Sequence, residues 1–364
     1  MPVTLELEKT NISNLTFALE PAANGLESSL LLAKHETEPG LHTWVEKTRS
    51  IMTAEELFRH RLVVTGFFFA LLPERGDMTF PMYLADLEAT PGIVLRERMF
   101  TAYTEICQDK TSTDSGRTVD WDLILRSPES YIEFLKMGFG LEHVEDEIEI
   151  QAYEYVKKPE EMKTLILSHL NWFWKTHLET EWLRVQPLVE KTIRAYRELD
   201  LGGLSCREII HRVTGQDPVD AHWIQLLERS KRIAFVPNAH TGQYTHKMLV
   251  GECLCIFFGA RPPDGSQERI PELDRTDIIS RLSTLADDTR MQILQMIGHK
   301  GEMRAQDITE AIGLSQPSTS RYLSQLAAAG YLTERRVNTA KVYTLNHDRI
   351  EKTLKAVSAF LLDR

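Results

Sequence analysis

Three groups of residues in this chain have types and spacings that suit chemistry. The first is Ser315, Gln316, Ser318, Thr319, Ser320 and Arg321, short hydroxyl and amide side chains followed by one guanidinium. Such groups exchange hydrogen bonds at short reach, which suits base-pair edges, and a guanidinium grips either a guanine edge or a phosphate. Arg335, Arg336 and Lys341 follow, three cations around a short turn, where charge alone meets a phosphate backbone. The second group is His169, Trp172, Trp174 and His177, with Asn171 and Phe173 between them. Imidazole handles among large aromatic walls suit a pocket for a small apolar organic molecule, and the same residues also suit the buried stripe of a core helix. The third is Cys253 and Cys255, which at i, i+2 on a strand present two thiols to one face. A soft metal, a redox pair or a small apolar core would each use that pattern.

The first group needs a helix to hold it. Ser315 is a good N-cap, Pro317 falls in the first turn where its missing N–H does no harm, and Leu323 and Leu326 give the apolar stripe. The outward positions are then Gln316, Ser318, Thr319, Ser320 and Arg321, and Gly330 stops the helix. Upstream, Ala305–Ile312 reads as a shorter helix ending at Gly313, so Gly313–Ser315 makes the tight turn of a helix-turn-helix. Downstream, Leu332–Arg336 and Lys341–Leu345 read as two strands around a Val337–Ala340 turn, the shape of a wing.

Three linked stretches here resemble the ArsR-type winged-helix transcriptional regulators. They are Leu285-Ala-Asp-Asp-Thr-Arg-Met-Gln-Ile-Leu294, Leu314-Ser-Gln-Pro-Ser-Thr-Ser-Arg-Tyr-Leu323, and the Tyr331–Leu345 wing with Arg335-Arg336 and Val342-Tyr343-Thr-Leu345. The resemblance covers about the last quarter of the chain. It implies a homodimer on a double-stranded DNA operator, usually a repressor released by a ligand, with helices beginning near Asp277 and Asp348 at the dimer contact. Metal-sensing members carry a thiolate pair just before the Asp that starts the first helix of the helix-turn-helix. Aligning that Asp with Asp307 puts Arg304 and Gln306 in those places, and arginine does not ligate a soft cation. The last helix, Asp348–Leu362, also lacks the family's His and carboxylate ligands, so no metal is expected.

A chain of 364 residues has room for two domains, expected at 1–268 and 269–364 with Arg261–Ser266 as the linker. The formal charge of −11 is unevenly spread: Leu273–Arg364 carries 13 Lys/Arg against 11 Asp/Glu, while the remainder carries 29 against 42. Only the C-terminal part suits an approach to DNA, and its few cations call for two copies acting together. Four cysteines make no disulfide framework, no apolar run approaches the ~20 residues that span a bilayer, and no leader-type segment opens the sequence. The expectation is a cytoplasmic protein with no membrane partner.

The N-terminal part reads as mostly helical. Val3–Glu8 alternates like a strand; Glu27–His35 and Leu41–Arg49 read as helices. Thr53 caps a helix running to Leu72, whose Leu62–Leu72 part is apolar on all sides. Met82–Glu88, Ile93–Gln108, Trp121–Leu125 and Glu129–Lys136 continue the pattern around a polar Asp109–Arg117 loop. In Lys158–Leu199 the apolar stripe steps five residues from Phe173 to Leu178, which predicts a bend or break near His177, with Pro187 a second candidate. Cys206–Val213 and Ala221–Arg229 read as short helices. Arg232–Val236, Tyr244–Val250 and Glu252–Phe258 read as a small sheet, with Asn238–Gly242 a turn and the N-terminal strand a candidate partner.

The fold class expected is mainly α with small β elements: a C-terminal winged helix-turn-helix after a mostly helical sensor domain. No phosphate-binding glycine loop, nucleophile elbow or zinc-protease motif occurs, so no catalysis and no cofactor is expected. Glu145–Glu149 reads as a solvated acidic face, and His211 and His222 as isolated helix residues. The functional expectation is a DNA-binding regulator whose N-terminal domain binds an apolar organic effector at His169, Trp172, Trp174 and His177. The alternative is an N-terminal platform for protein contact or dimerisation with no small ligand.

Overall fold

The computed structural model describes residues 15–34, 42–110, 119–141, 144–215, 221–242, 244–261, 263, 275–337 and 340–362. In chain order the elements begin with β1 (Leu15–Phe17), α1 (Pro21–Lys34), α2 (Thr43–Ile51) and α3 (Ala54–Arg61). Then come a π-turn (Leu62–Gly66), α4 (Phe68–Leu71), α5 (Phe80–Ala89), α6 (Gly92–Lys110), α7 (Trp121–Ile124), α8 (Pro128–Phe139) and α9 (Asp146–Val156). α10 (Pro159–Phe173), a second π-turn (Trp174–Leu178) and α11 (Glu179–Arg197) follow without a gap. Next are α12 (Cys206–Thr214), α13 (Ala221–Arg229), β2 (Arg232–Asn238), β3 (His246–Val250) and β4 (Cys253–Gly259). The C-terminal part holds α14 (Arg275–Leu285), α15 (Asp288–Lys300), β5 (Glu302–Arg304), α16 (Ala305–Ile312), α17 (Gln316–Ala328), β6 (Leu332–Val337), β7 (Ala340–Leu345) and α18 (His347–Leu362). The fold is mainly helical with two small sheets.

The described residues form two compact units, one drawn from 1–19, 34–47 and 185–364, the other from 20–33 and 48–184. The second unit is all helix. Thr53 caps α3 with a reciprocal Glu56 contact, a device contributing about 1 kcal/mol. The run to Leu72 is not one α-helix, because Leu62–Gly66 is a π-turn and Phe67, at φ −116° and ψ 22°, separates it from α4. Gly66 lets α9 come close, since a Cβ there would stand 3.1 Å from the Ala152 methyl, a tight contact that would need a small shift. α6 lies against α4, α8 and α10, and Leu95, Met99, Ile166, Leu170 and Phe173 are wholly buried in the core.

The five-residue step from Phe173 to Leu178 resolves as the second π-turn, closed by the Glu179 N–H donating to Trp174 O. Both Phe173 and Leu178 are fully buried, so the inserted residue keeps the stripe on one face where a regular helix would swing Leu178 away. No break is needed, and α11 also runs on through Pro187. α9 is a helix that the acidic run concealed.

In the first unit β1, β2 and β4 are parallel, β3 is antiparallel to β4, and the order is β1-β2-β4-β3. Phe17, Ile233, Phe235, Leu254, Ile256 and Phe258 form one face, packed on Val189, Ile193 and Tyr196 of α11 and on α12 and α13. Cys253 and Cys255 point to the other face and are buried, as small core residues would be. The described edge partner of β2 is Leu15–Phe17; Val3–Glu8, most of the Asp109–Arg117 loop and most of the Arg261–Ser266 linker lie outside the described residues.

The C-terminal part builds a separate core from Ile293, Leu294, Ile297, Ile308, Leu323, Leu326, Tyr331 and Tyr343. Its sheet has the order β5-β7-β6, with α15 against β7 and α17 against β6. Gly313 and Gly330 both take left-handed φ of 74°, which ends α16 and the α17 segment as their sequence positions require.

Candidate nucleic-acid interface and buried histidine cluster

α16, the Gly313 turn and α17 make a helix-turn-helix, and β6–β7 make the wing. Ser315 caps α17, its Oγ accepting from the Ser318 N–H and donating to Ser318 Oγ at 2.9 Å. Gln316, Ser320 and Arg321 are exposed and Ser318 is half-buried. Arg321 has no carboxylate partner among the described residues; its guanidinium lies 5.5 Å from the ring of Tyr322. Thr319 departs from the outward position expected of it. It is 1% exposed, on the core side beside the Leu323 stripe, and its hydroxyl has no partner among the described residues.

The wing cations are not free. Arg335 Nε donates to Glu302 on β5 at 3.0 Å, and Lys341 Nζ lies 2.8 Å from Glu334, which also accepts from Tyr343 Oη. These pairs are largely exposed, so each contributes at most about 1 kcal/mol and yields to a phosphate. Arg336 stands opposite Lys341 in the register, and its side chain, like the 338–339 tip, lies outside the described residues. Behind the reading helix, buried Tyr331 donates to Arg281 O of α14 and lies 3.3 Å from Thr353 Oγ1 of α18, tying those two helices to the end of α17. α14 and α18 pack together yet leave Ile279, Leu282, Leu354, Phe360 and Leu361 exposed. An apolar face across two neighbouring helices is the mark of a contact surface.

In the helical unit the structure brings His169, Trp172 and His177 together and sets Trp174 apart. Trp174 is buried and stacks on Phe80 at 4.7 Å, a core role. Trp172 lies between the two imidazoles, its ring 5.4 Å from that of His169 and 5.1 Å from that of His177. His60, on α3, completes the cluster and was not legible in the sequence: its Nδ1 is 3.0 Å from His169 Nε2, and its Nε2 is 2.8 Å from Ser29 O. Burial pushes His60 down to about 4 and His169 to about 3, so those two imidazoles are neutral, and burial lowers His177 as well. His169 Nδ1 and His177 Nε2 are buried without a partner among the described residues. Glu149 corrects the reading of its acidic run as a solvated face, since it is buried on α9 and its carboxyl is pushed up to about 8.

A helix-turn-helix with exposed short polar side chains, a paired-strand wing and a separate core defines a winged-helix DNA-reading domain. The IclR helix-turn-helix domain family matches residues 291–336. The chain is similar to the arsenic resistance transcriptional regulator ArsR1 of Pseudomonas putida, 38% identical over 79 residues, 22% of this chain and 61% of that protein. It is also similar to the arsenic resistance transcriptional regulator ArsR2 of the same organism, 34% identical over 87 residues, 22% of this chain and 76% of that protein. The crystal structure of NolR from Sinorhizobium fredii matches at 31% identity, covering 26% of this chain and 95% of that one, with a TM-score of 0.21. The chain thus spans less than two thirds of the first of these relatives. It belongs to the helix-turn-helix transcriptional regulators.

Proposed function

We propose that this protein is a ligand-responsive transcriptional repressor of the ArsR type, acting as a homodimer on an inverted-repeat operator in the cytoplasm. The observation that carries the reading is α17: a capped helix that buries Leu323 and Leu326 and exposes Gln316, Ser320 and Arg321. Residues 269–364 form the reading and dimerisation domain and residues 1–268 the sensor. The exposed apolar face of α14 and α18 supports the dimer, because two-fold pairing buries the same patch on both copies. The effector is a small apolar organic molecule held beside Trp172 by His169 and His177, whose unpartnered buried nitrogens are its polar handles. Arg304 and Gln306 offer no thiolate to a soft cation, and Gln306 Nε2 donates to Glu310. Footprinting on DNA selected by the full chain tests the reading. A symmetric protected repeat, half-sites about 10–10.5 base pairs apart or a multiple of that, is expected, and occupancy of one half-site by a monomer overturns it.

A further inference from the structure

The tautomers of the histidine cluster are fixed from one end. Ser29 O can only accept, so His60 Nε2 carries the hydrogen. His60 is neutral, which makes its Nδ1 an acceptor, and His169 Nε2 must therefore be the donor across the 3.0 Å contact. His169 is neutral too, so its single hydrogen is used and its Nδ1 presents a bare lone pair. That nitrogen is buried and has no partner among the described residues, and leaving a buried acceptor unmet is costly. Trp172 is half-buried and lies between this ring and the His177 ring, whose Nε2 is also unmet.

We propose that the effector is a flat apolar molecule bearing an O–H or N–H that donates to His169 Nδ1, with His177 as its second polar contact. This inference rests on the effector reading above and adds the chemistry of the ligand. A carboxylate or other anion is disfavoured at His169 Nδ1, because it would bring a lone pair against a lone pair, and the cation that acts on this ring, Arg59, is already held by Glu55. A metal ion is disfavoured because His60 Nδ1 and His169 Nε2 are engaged with each other, and among the described residues no three ligand atoms converge around His169 and His177. The π-turn begins immediately after Phe173 and carries His177, so the second polar contact sits where the helix geometry is irregular, while His169 stands in the last turns of α10 before it.

Three probes of one shape separate these chemistries: 2-naphthol, 2-methoxynaphthalene and 2-naphthoate, titrated calorimetrically into the full chain. The naphthol is expected to bind about tenfold or more tighter than the ether, with the naphthoate weakest. His169→Phe should lower the naphthol to the affinity of the ether. Equal binding of naphthol and ether, tightest binding by the naphthoate, no measurable naphthol binding, or a preference that survives His169→Phe overturns the inference. If His169→Phe does not fold, ¹⁵N spectra of the parent decide: His169 Nδ1 should be unprotonated and shift when naphthol is added, and a protonated or unmoved Nδ1 overturns the inference. If all three probes bind alike and Trp172→Ala removes all three, the pocket stands and only the donor requirement falls.

Discussion

His60 and His169, 109 positions apart in sequence, meet nitrogen to nitrogen at 3.0 Å inside the helical unit, and the carbonyl of Ser29 orders the pair. Two neutral imidazoles in contact are a pH-sensitive joint. The unfolded chain protonates them as pH falls through about 6.5, whereas the folded chain keeps them neutral until about 4 and about 3. Unfolding therefore takes up protons across that window, and stability falls as pH falls through it. Thermal midpoints of the full chain should drop from pH 6.5 toward pH 4, and His60→Gln should flatten the slope. A parent midpoint flat over that range contradicts the joint.

Glu149 acts in the opposite direction. Its carboxyl is pushed up to about 8 by burial, above the ordinary 4.5, so the folded chain holds a proton that the unfolded chain releases. Stability should decline between about pH 4.5 and pH 8, by up to about 1.4 kcal/mol per pH unit. Glu149→Gln removes that dependence and should raise the midpoint most at pH 8. A variant less stable than the parent at pH 8 would show that the carboxylate is paired.

The wing carries its own competitors for DNA. Glu302 holds Arg335 and Glu334 holds Lys341, so phosphate contact must first displace two carboxylates. Glu302→Gln and Glu334→Gln should each tighten DNA binding a few-fold at low salt, the gain shrinking as salt rises. Unchanged or weaker binding would place the wing away from the backbone.

Trp172 and Trp174 should part company under mutation. Trp174→Ala removes the ring stacked on Phe80 and should cost about 3–5 kcal/mol. Trp172→Ala should leave folding and operator binding within a few-fold of the parent while abolishing the effector response. A normal response in a folded Trp172→Ala protein would move the effector elsewhere.

The C-terminal part was legible because local rules fix it: the Ser315 cap, Pro317 in the first turn and glycines at 313 and 330 each name their own conformation. The five-residue step after Phe173 was legible as an irregularity, but a bend and a π-turn satisfy the same stripe, and only packing chooses between them. Thr319 was misread since one helical face grades into the other over a single residue. His60 and Glu149 were missed for a different reason: each is defined by partners or burial contributed from distant segments, and no local pattern carries that.

Reading of DNA by α17 is tested most directly through Arg321. Binding of the full chain to a DNA site it selects from a random pool should be titrated at several salt concentrations, beside Arg321→Ala. The variant should lose roughly 1–3 kcal/mol of preference for the selected site if the guanidinium reads a base, or about one unit of salt slope if it holds a phosphate. Affinity and selectivity unchanged at every salt concentration would contradict the assignment of α17 as the reading helix.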